Sequence, residues 1–191
     1  MSLACIIIAH TKRRDLVRER VLPSALALPF DEIVVVADYA ADLPVNGFRW
    51  LCVEPMTTTT IDALVKRDVG TLATTADWLL YLCDDHAIRQ LPTRYPPGFA
   101  LVGVPTRFCW HEEHMEPLNS GLEGQYAPYC GGHAGLFRRG LIQRRPWSTM
   151  PHHRLWDVLS TQLFVQDGAT LLGPLEDFVI EDLEPENRPW Q

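Results

Sequence analysis

The chain has 191 residues, 47% of them hydrophobic, and a formal net charge of −7. This length suits a single domain, residues 1–191, with enough apolar side chains for a sizeable core. The negative charge argues against broad, non-specific binding to nucleic-acid phosphates. The five cysteines are odd in number and include no Cys-x-x-Cys pair, which is typical of free thiols in a reducing compartment.

The N-terminal apolar run "LACIIIA" is too short to span a bilayer, and its basic residues follow it, which is the wrong order for a signal peptide. No later run is long and apolar enough for a membrane helix. We therefore expect a cytoplasmic protein without a transmembrane segment.

The first half of the sequence alternates apolar runs with helical patterns. Strands are predicted for residues 3–9, 31–38, 48–54 and 77–85, and helices for 15–28 and about 58–76. Pro23 would bend or shorten the first helix, the threonines at 57–60 would cap the second, and Gly70 would weaken it. Because the strands are continuously apolar, we predict a mostly parallel, Rossmann-like α/β sheet covered by helices on both faces.

The second half is less regular. A strand is predicted for residues 99–105, a long functional loop for 106–130 and a short helix for 133–142. A further helix over 152–168 would end at a glycine cap and be followed by two short strands, 169–174 and 176–182.

Three predicted strands end in polar residues: His10–Thr11, Asp38, and Asp84–Asp85–His86. Ligands of such sheets bind at the carboxyl ends of the strands, near the point where the strand order reverses. These residues therefore predict one ligand site. The alternatives are that Asp38 is a helix N-cap or turn residue and that the Asp84–Asp85 pair is a solvated strand end.

Four stretches carry a resemblance to a known family. In chain order they are "IIIAHTKRRD", "DEIVVVAD", "ADWLLYLCDDH", and "GGHAGLFRRGL" followed by "RLWDVLSTQLFVQDG". Together they resemble the GT-A-fold nucleotide-sugar glycosyltransferases, in particular the family-2-like ones. The resemblance implies metal-dependent, inverting transfer of a sugar from a nucleotide-diphosphate donor, most often UDP-linked, to an acceptor hydroxyl. Residues 1–86 would form the donor-binding half and 87–191 the acceptor side.

The resemblance also implies roles for individual residues. Asp85 would hold Mn²⁺ or Mg²⁺, hard cations that bridge carboxylates and diphosphates, with His86 either a further ligand or a loop histidine. Asp157 would be the general base that deprotonates the acceptor. The donor-binding positions would be His10, Thr11, Arg13, Asp38, Asp84, Gly131, Gly132 and His133. Without the resemblance, Asp157 is an exposed helical acid and the two glycines form a turn.

The sequence departs from the family pattern at two positions. Cys83 replaces the first acid of the Asp-x-Asp motif, and Trp156 stands where a glutamate usually precedes the base. A non-catalytic nucleotide-sugar-binding protein therefore remains an alternative. A nucleotidyltransferase is a second alternative, although "HTKRRD" lacks the glycines of a phosphate loop. The acceptor is open: a saccharide or small molecule is favoured over a modified nucleic-acid base.

Overall fold

The computed structural model describes residues 1–42, 44–56, 58–95, 100–105, 134–151 and 156–183. The strands within these ranges are β1 (Leu3–Ala9), β2 (Glu32–Ala37), β3 (Arg49–Cys52), β4 (Trp78–Cys83), β5 (His86–Gln90), β6 (Ala100–Pro105), β7 (Ala134–Arg138) and β8 (Leu171–Asp182). The α-helices are α1 (Arg14–Leu16), α2 (Leu22–Leu26), α3 (Thr59–Ala73), α4 (Arg139–Arg144) and α5 (Trp156–Gln166). None of the helices in these ranges is long and apolar enough to cross a membrane.

The strands form one sheet in the order β3-β2-β1-β4-β7-β6-β8-β5. Strands β1 to β4 run parallel to one another, and β8 runs parallel to β6. Strand β7 is antiparallel to both β4 and β6, and β5 is antiparallel to β8. The chain moves from β1 to β2 on one side and to β4 on the other, so the strand order reverses between β1 and β4.

The core lies on both faces of this sheet, which explains the continuously apolar strands. All seven residues of β1 are buried; alternate side chains such as Cys5 and Ile7 face one core cluster, and Ile6 and Ile8 face the other. The α1–α2 segment covers the first face, while α3, α4 and α5 cover the second. The predicted α/β sheet with helices on both faces is confirmed.

The segment predicted as a helix over 15–28 is helical but interrupted. A π-helical stretch, Val17–Val21, separates α1 from α2, and Pro23 lies at the start of α2. Proline has no N–H to donate into an α-helical ladder, so the wider turns before it accommodate the missing bond.

Helix α3 depends on two residues, a threonine that caps its start and a glycine in its interior. The Thr58 side chain accepts a hydrogen bond from the backbone N–H of Ile61 at 3.2 Å, which confirms the predicted threonine cap. Gly70, however, is a packing residue rather than a weak point. A Cβ added there would lie 2.3 Å from Cγ2 of the buried Ile6, so only glycine lets α3 approach β1 this closely.

Three predictions for the second half are wrong. Residues 133–142 do not form one helix: Ala134–Arg138 is strand β7, and the helix begins only at Arg139. The two short strands predicted after α5 are one twelve-residue strand, β8. Residues 86–90, for which the sequence predicts no strand, form β5 at the edge of the sheet. The predicted loop at 106–130 lies outside the described residues.

Gly70→Ala should destabilise the fold by about 1–3 kcal/mol, because the added methyl group overlaps Ile6 and forces α3 away from β1. Urea unfolding of the two proteins would measure the difference. Gly140→Ala in α4 is the matched control, since nothing lies within 4 Å of its Cβ position. Equal stability of Gly70→Ala and the unaltered protein would show that the contact is not tight.

Candidate functional site at the carboxyl ends of the central strands

Polar residues gather where β1, β2 and β4 end. Both the backbone N–H and the hydroxyl of Thr11, after β1, donate to Asp38 Oδ1 at 2.7 Å, after β2. The backbone N–H of His10 donates to Asp84 Oδ2 at 2.8 Å, after β4. These hydrogen bonds therefore connect the carboxyl ends of the three strands, beside the point where the strand order reverses.

Arg13 bridges the two adjacent acids after β4. Its Nη1 donates to Asp84 Oδ1 at 3.1 Å, and its Nη2 lies 3.5 Å from Asp85 Oδ2. Both carboxylates are buried, whereas the Arg13 side chain is 36% exposed. A half-exposed guanidinium thus covers two buried acids on the solvent side.

Asp85 also engages the strand that follows it. The Nδ1 of His86 lies 2.6 Å from Asp85 Oδ1, and the backbone N–H of Leu183 donates to the Asp85 carbonyl at 2.8 Å. His86 begins β5 and is buried, so the reading of it as a loop histidine is wrong. The pairing of β5 with β8 fixes this histidine beside the acid.

Lys66, on α3, is a fully buried cation at the centre of the site. Its Nζ lies 2.6 Å from Asp62 Oδ2 and 3.5 Å from Asp38 Oδ2, and it donates to the Ala9 carbonyl at 2.8 Å. A buried ammonium is stable only when it is paired and hydrogen-bonded, so these partners are the reason that Lys66 can be buried.

The His10 imidazole lies between two carboxylates. Its Nδ1 is 2.8 Å from Asp84 Oδ2, and its Nε2 is 3.0 Å from Asp62 Oδ2. Asp62 in turn accepts the backbone N–H of Met56 at 3.0 Å. His10 therefore links Asp84, after β4, to Asp62 on helix α3.

Cys83, the last residue of β4, contributes no negative charge to the site. Burial raises the pKa of its thiol to about 12, and the attraction of Arg67 offsets only part of that rise. Arg67 Nη2 lies 3.8 Å from the sulfur, and its guanidinium packs over the rings of Tyr81 and Trp147 at 5.6 and 5.4 Å. The thiol is protonated at neutral pH and is a poor ligand for a hard cation.

Asp38 is the most open of the four site carboxylates. Burial raises the pKa of Asp38. The hydrogen bonds from Thr11 and the charge of Lys66 lower it by more than burial raises it, so the pKa lies below its ordinary value. Asp38 is therefore ionised at neutral pH and available as a hydrogen-bond acceptor.

The electrostatic balance limits how a metal could bind. Among the described residues, no group of three or more His, Cys, Asp or Glu side chains is arranged to hold an ion. A magnesium ion bound by one carboxylate, water and substrate phosphates does not need such a group. Asp85 fits this second arrangement, provided that Arg13 moves from its oxygen or shares it.

The structure brings together seven of the predicted site residues: His10, Thr11, Arg13, Asp38, Asp84, Asp85 and His86. Gly131, Gly132 and His133 lie outside the described residues. Asp157 is the second residue of α5, and its side chain also lies outside the description. The roles of all these residues remain predictions.

Sequence reasoning missed three members of the site: Asp62, Lys66 and Arg67. The sequence feature that could have indicated two of them is the spacing of Asp62 and Lys66, one helical turn apart on α3. Lysine in mid-helix usually faces solvent, so the pair would ordinarily be taken as a surface ion pair.

Known proteins share this fold at low sequence identity. The sequence matches no protein-family model and no curated protein. Among solved structures, the chain is similar to S. aureus TarS 1–349, with a TM-score of 0.60 at 14% identity over 97% of this chain and 61% of that one. TarS 1–349 in complex with UDP gives 0.55 at 15% identity over 95% and 60%.

A longer S. aureus TarS structure gives a TM-score of 0.55 at 14% identity, covering 94% of this chain and 36% of that one. The present chain thus spans about three-fifths or less of the TarS chains that it matches. At these identities the likeness establishes a common α/β fold, and activity requires a separate argument.

Lys66→Met should destabilise the protein by about 3–5 kcal/mol, because the change leaves the buried Asp62 carboxylate without its cation. Chemical unfolding would measure the loss. Lys12→Met makes the same substitution at an exposed position and should change stability by less than about 0.5 kcal/mol. Adding Asp62→Asn to Lys66→Met should restore part of the stability. Similar small effects of Lys66→Met and Lys12→Met would contradict the assignment of Lys66 as a buried counter-ion.

Proposed function

We propose that the protein is a glycosyltransferase that binds a nucleotide-diphosphate sugar, UDP-linked, at the carboxyl ends of β1, β2 and β4. The observation that carries this proposal is the contact of Arg13 with the adjacent Asp84 and Asp85, at the carboxyl end of β4 where the strand order reverses. The carboxyl ends of strands at such a reversal are where α/β sheets bind nucleotides.

The comparison with TarS supports the class of activity. TarS is a glycosyltransferase, and one of the TarS structures that are similar to this chain is a complex with UDP. The shared fold covers 95% of the present chain. The fold alone does not fix a function, so the proposal depends on the site residues as well.

The donor would lie across the strand ends with its two parts in different surroundings. Asp38 is ionised and partly exposed, so it would accept hydrogen bonds from the base or ribose, with Thr11 beside it. Arg13 is the exposed cation nearest the Asp84–Asp85 pair and would contact the diphosphate.

Asp85 would hold Mn²⁺ or Mg²⁺ together with the diphosphate oxygens. When bound, the ion would stabilise the negative charge that develops on the leaving diphosphate. In the free protein Arg13 supplies the positive charge at this position. Donor and metal would then arrive together, because the diphosphate gives Arg13 a new anionic partner and frees an Asp85 oxygen.

Asp157 would act as the general base. Helix α5 leads into β8, and β8 starts at the end of the sheet opposite the carboxyl ends that form the site. A helix that precedes a strand in an α/β fold usually runs back across the sheet, so the start of α5 would lie toward the site. An inverting transfer needs one carboxylate on the face opposite the leaving group.

A non-catalytic nucleotide-sugar-binding protein remains the second candidate. A neutral Cys83 thiol stands where the resemblance implies the first acid of the metal motif, and Arg13 already contacts both Asp84 and Asp85. Such a protein would bind the donor without releasing nucleotide.

Asp85→Asn should abolish the enhancement of UDP binding by Mn²⁺, because the amide keeps the shape of the side chain but removes its charge. Isothermal titration calorimetry with UDP, with and without Mn²⁺, would measure it. Asp15→Asn, at an exposed position on α1, is the control and should retain the enhancement. If folded Asp85→Asn keeps an unchanged Mn²⁺ effect, Asp85 is not the metal ligand.

Asp157→Asn should lower turnover by about 10²–10⁴-fold while donor affinity stays nearly constant, as expected for loss of a general base. Release of UDP from a panel of UDP-sugars would measure turnover, and NMR of the product would show inverted anomeric configuration. Asp167→Asn, just beyond the other end of α5, is the matched control. Normal turnover of Asp157→Asn, or a retained product, would exclude this mechanism. Nucleotide binding without release in the unaltered protein would favour the non-catalytic candidate.

A further inference from the structure

A pocket lies at the end of β4 opposite the proposed donor site. It has a volume of about 560 Å³ and is formed by the residues before β4, the end of β7, helix α4 and the turn between α5 and β8. The six residues of β4 separate the two sites, which corresponds to about 20 Å at the usual rise of a strand. A ligand in this pocket would therefore not contact the carboxylates after β4.

Three arginines line this pocket: Arg138, Arg139 and Arg144. Within the described part of the chain, none of the three forms a salt bridge, although their neighbour Arg145 pairs with Asp167. The one acid in the lining, Asp77, is hydrogen-bonded to the backbone N–H and hydroxyl of Ser2. The pocket thus has a local excess of positive charge in a chain whose net charge is −7.

One of these arginines packs on a tryptophan ring, and a second has a buried side-chain nitrogen. The Arg138 guanidinium lies 4.4 Å from the centroid of the Trp78 ring, its cross-strand partner on β4. The Nε of Arg139 is buried and has no hydrogen-bond partner among the described residues. A buried donor without an acceptor is costly, so a ligand acceptor would remove that cost once the Arg139 side chain turns toward the pocket.

The rest of the lining is suited to a small polar ligand. The side chains of Gln143 and Thr170 are exposed and can hydrogen-bond, and Gly140 and Gly168 leave their backbone uncovered. The volume is in the range of small-molecule sites and is larger than a single phosphate ion needs. We propose that this pocket binds the phosphate group of a small phosphorylated ligand, with Arg138, Arg139 and Arg144 as the phosphate-binding residues. This inference does not depend on the proposed function of the first site.

Inorganic phosphate is the probe for the test, because it isolates the group that the arginines would recognise. Titrated into ¹⁵N-labelled protein at constant ionic strength, it should shift the amide resonances of Gly140, Leu141 and Gly168 in a saturable way. Arg139→Gln and Arg144→Gln should each weaken this binding by at least about tenfold, the loss expected for one charge-assisted hydrogen bond.

Arg49→Gln is the matched control, since Arg49 begins β3 at the same end of the sheet, is paired with Glu32 and does not line the pocket. This variant should bind phosphate normally. Arg144 is exposed, so its substitution should not disturb folding. The proposal is overturned if the shifts do not saturate, if they occur only around Arg13, or if Arg144→Gln and Arg49→Gln bind phosphate equally well.

Discussion

The ion pair between the buried Lys66 and Asp62 is the interaction on which the rest of the site depends. Lys66 neutralises Asp62, lies close to Asp38 and donates to the end of β1, so one side chain joins α3 to the strand ends. It reaches them only because α3 packs tightly on β1, which Gly70 permits. A buried carboxylate without this cation would be strongly destabilising, and the sheet edge would have to open to solvent.

The same balance of charges has a consequence for the proposed donor site. The acids after β4 are covered by Arg13, which is more exposed to solvent than His10, Asp38 or Lys66. A diphosphate would compete with those acids for Arg13, and a divalent ion would compete with Arg13 for the acids. Binding of the two together exchanges one set of ion pairs for another, whereas binding of either alone leaves a charge unpaired. This coupling follows from burial and would not apply to a solvated pair of carboxylates.

The parts of the fold predicted correctly are those with a local signal. Strands β1, β2 and β4 are continuously apolar because both faces of the sheet are covered, and their polar ends follow directly. The sequence predicts a helix at β7 because "AGLFRRGL" runs without a break into α4. Only the pairing with β4 and β6 makes the first half of this stretch extended. Strand β5 follows the acid pair without a turn signal.

The contact of Arg13 with Asp84 spans 71 residues, and nothing local in the sequence indicates which of three neighbouring basic residues makes it.

A crystal structure of the protein with UDP and Mn²⁺ tests the central claim most directly. The account predicts the base and ribose beside Asp38 and Thr11, the diphosphate against Arg13, and the ion between the diphosphate and Asp85. Occupancy of any other part of the molecule, or a bound nucleotide that leaves the contacts of Arg13 with Asp84 and Asp85 unchanged and lies far from Asp38, would contradict it.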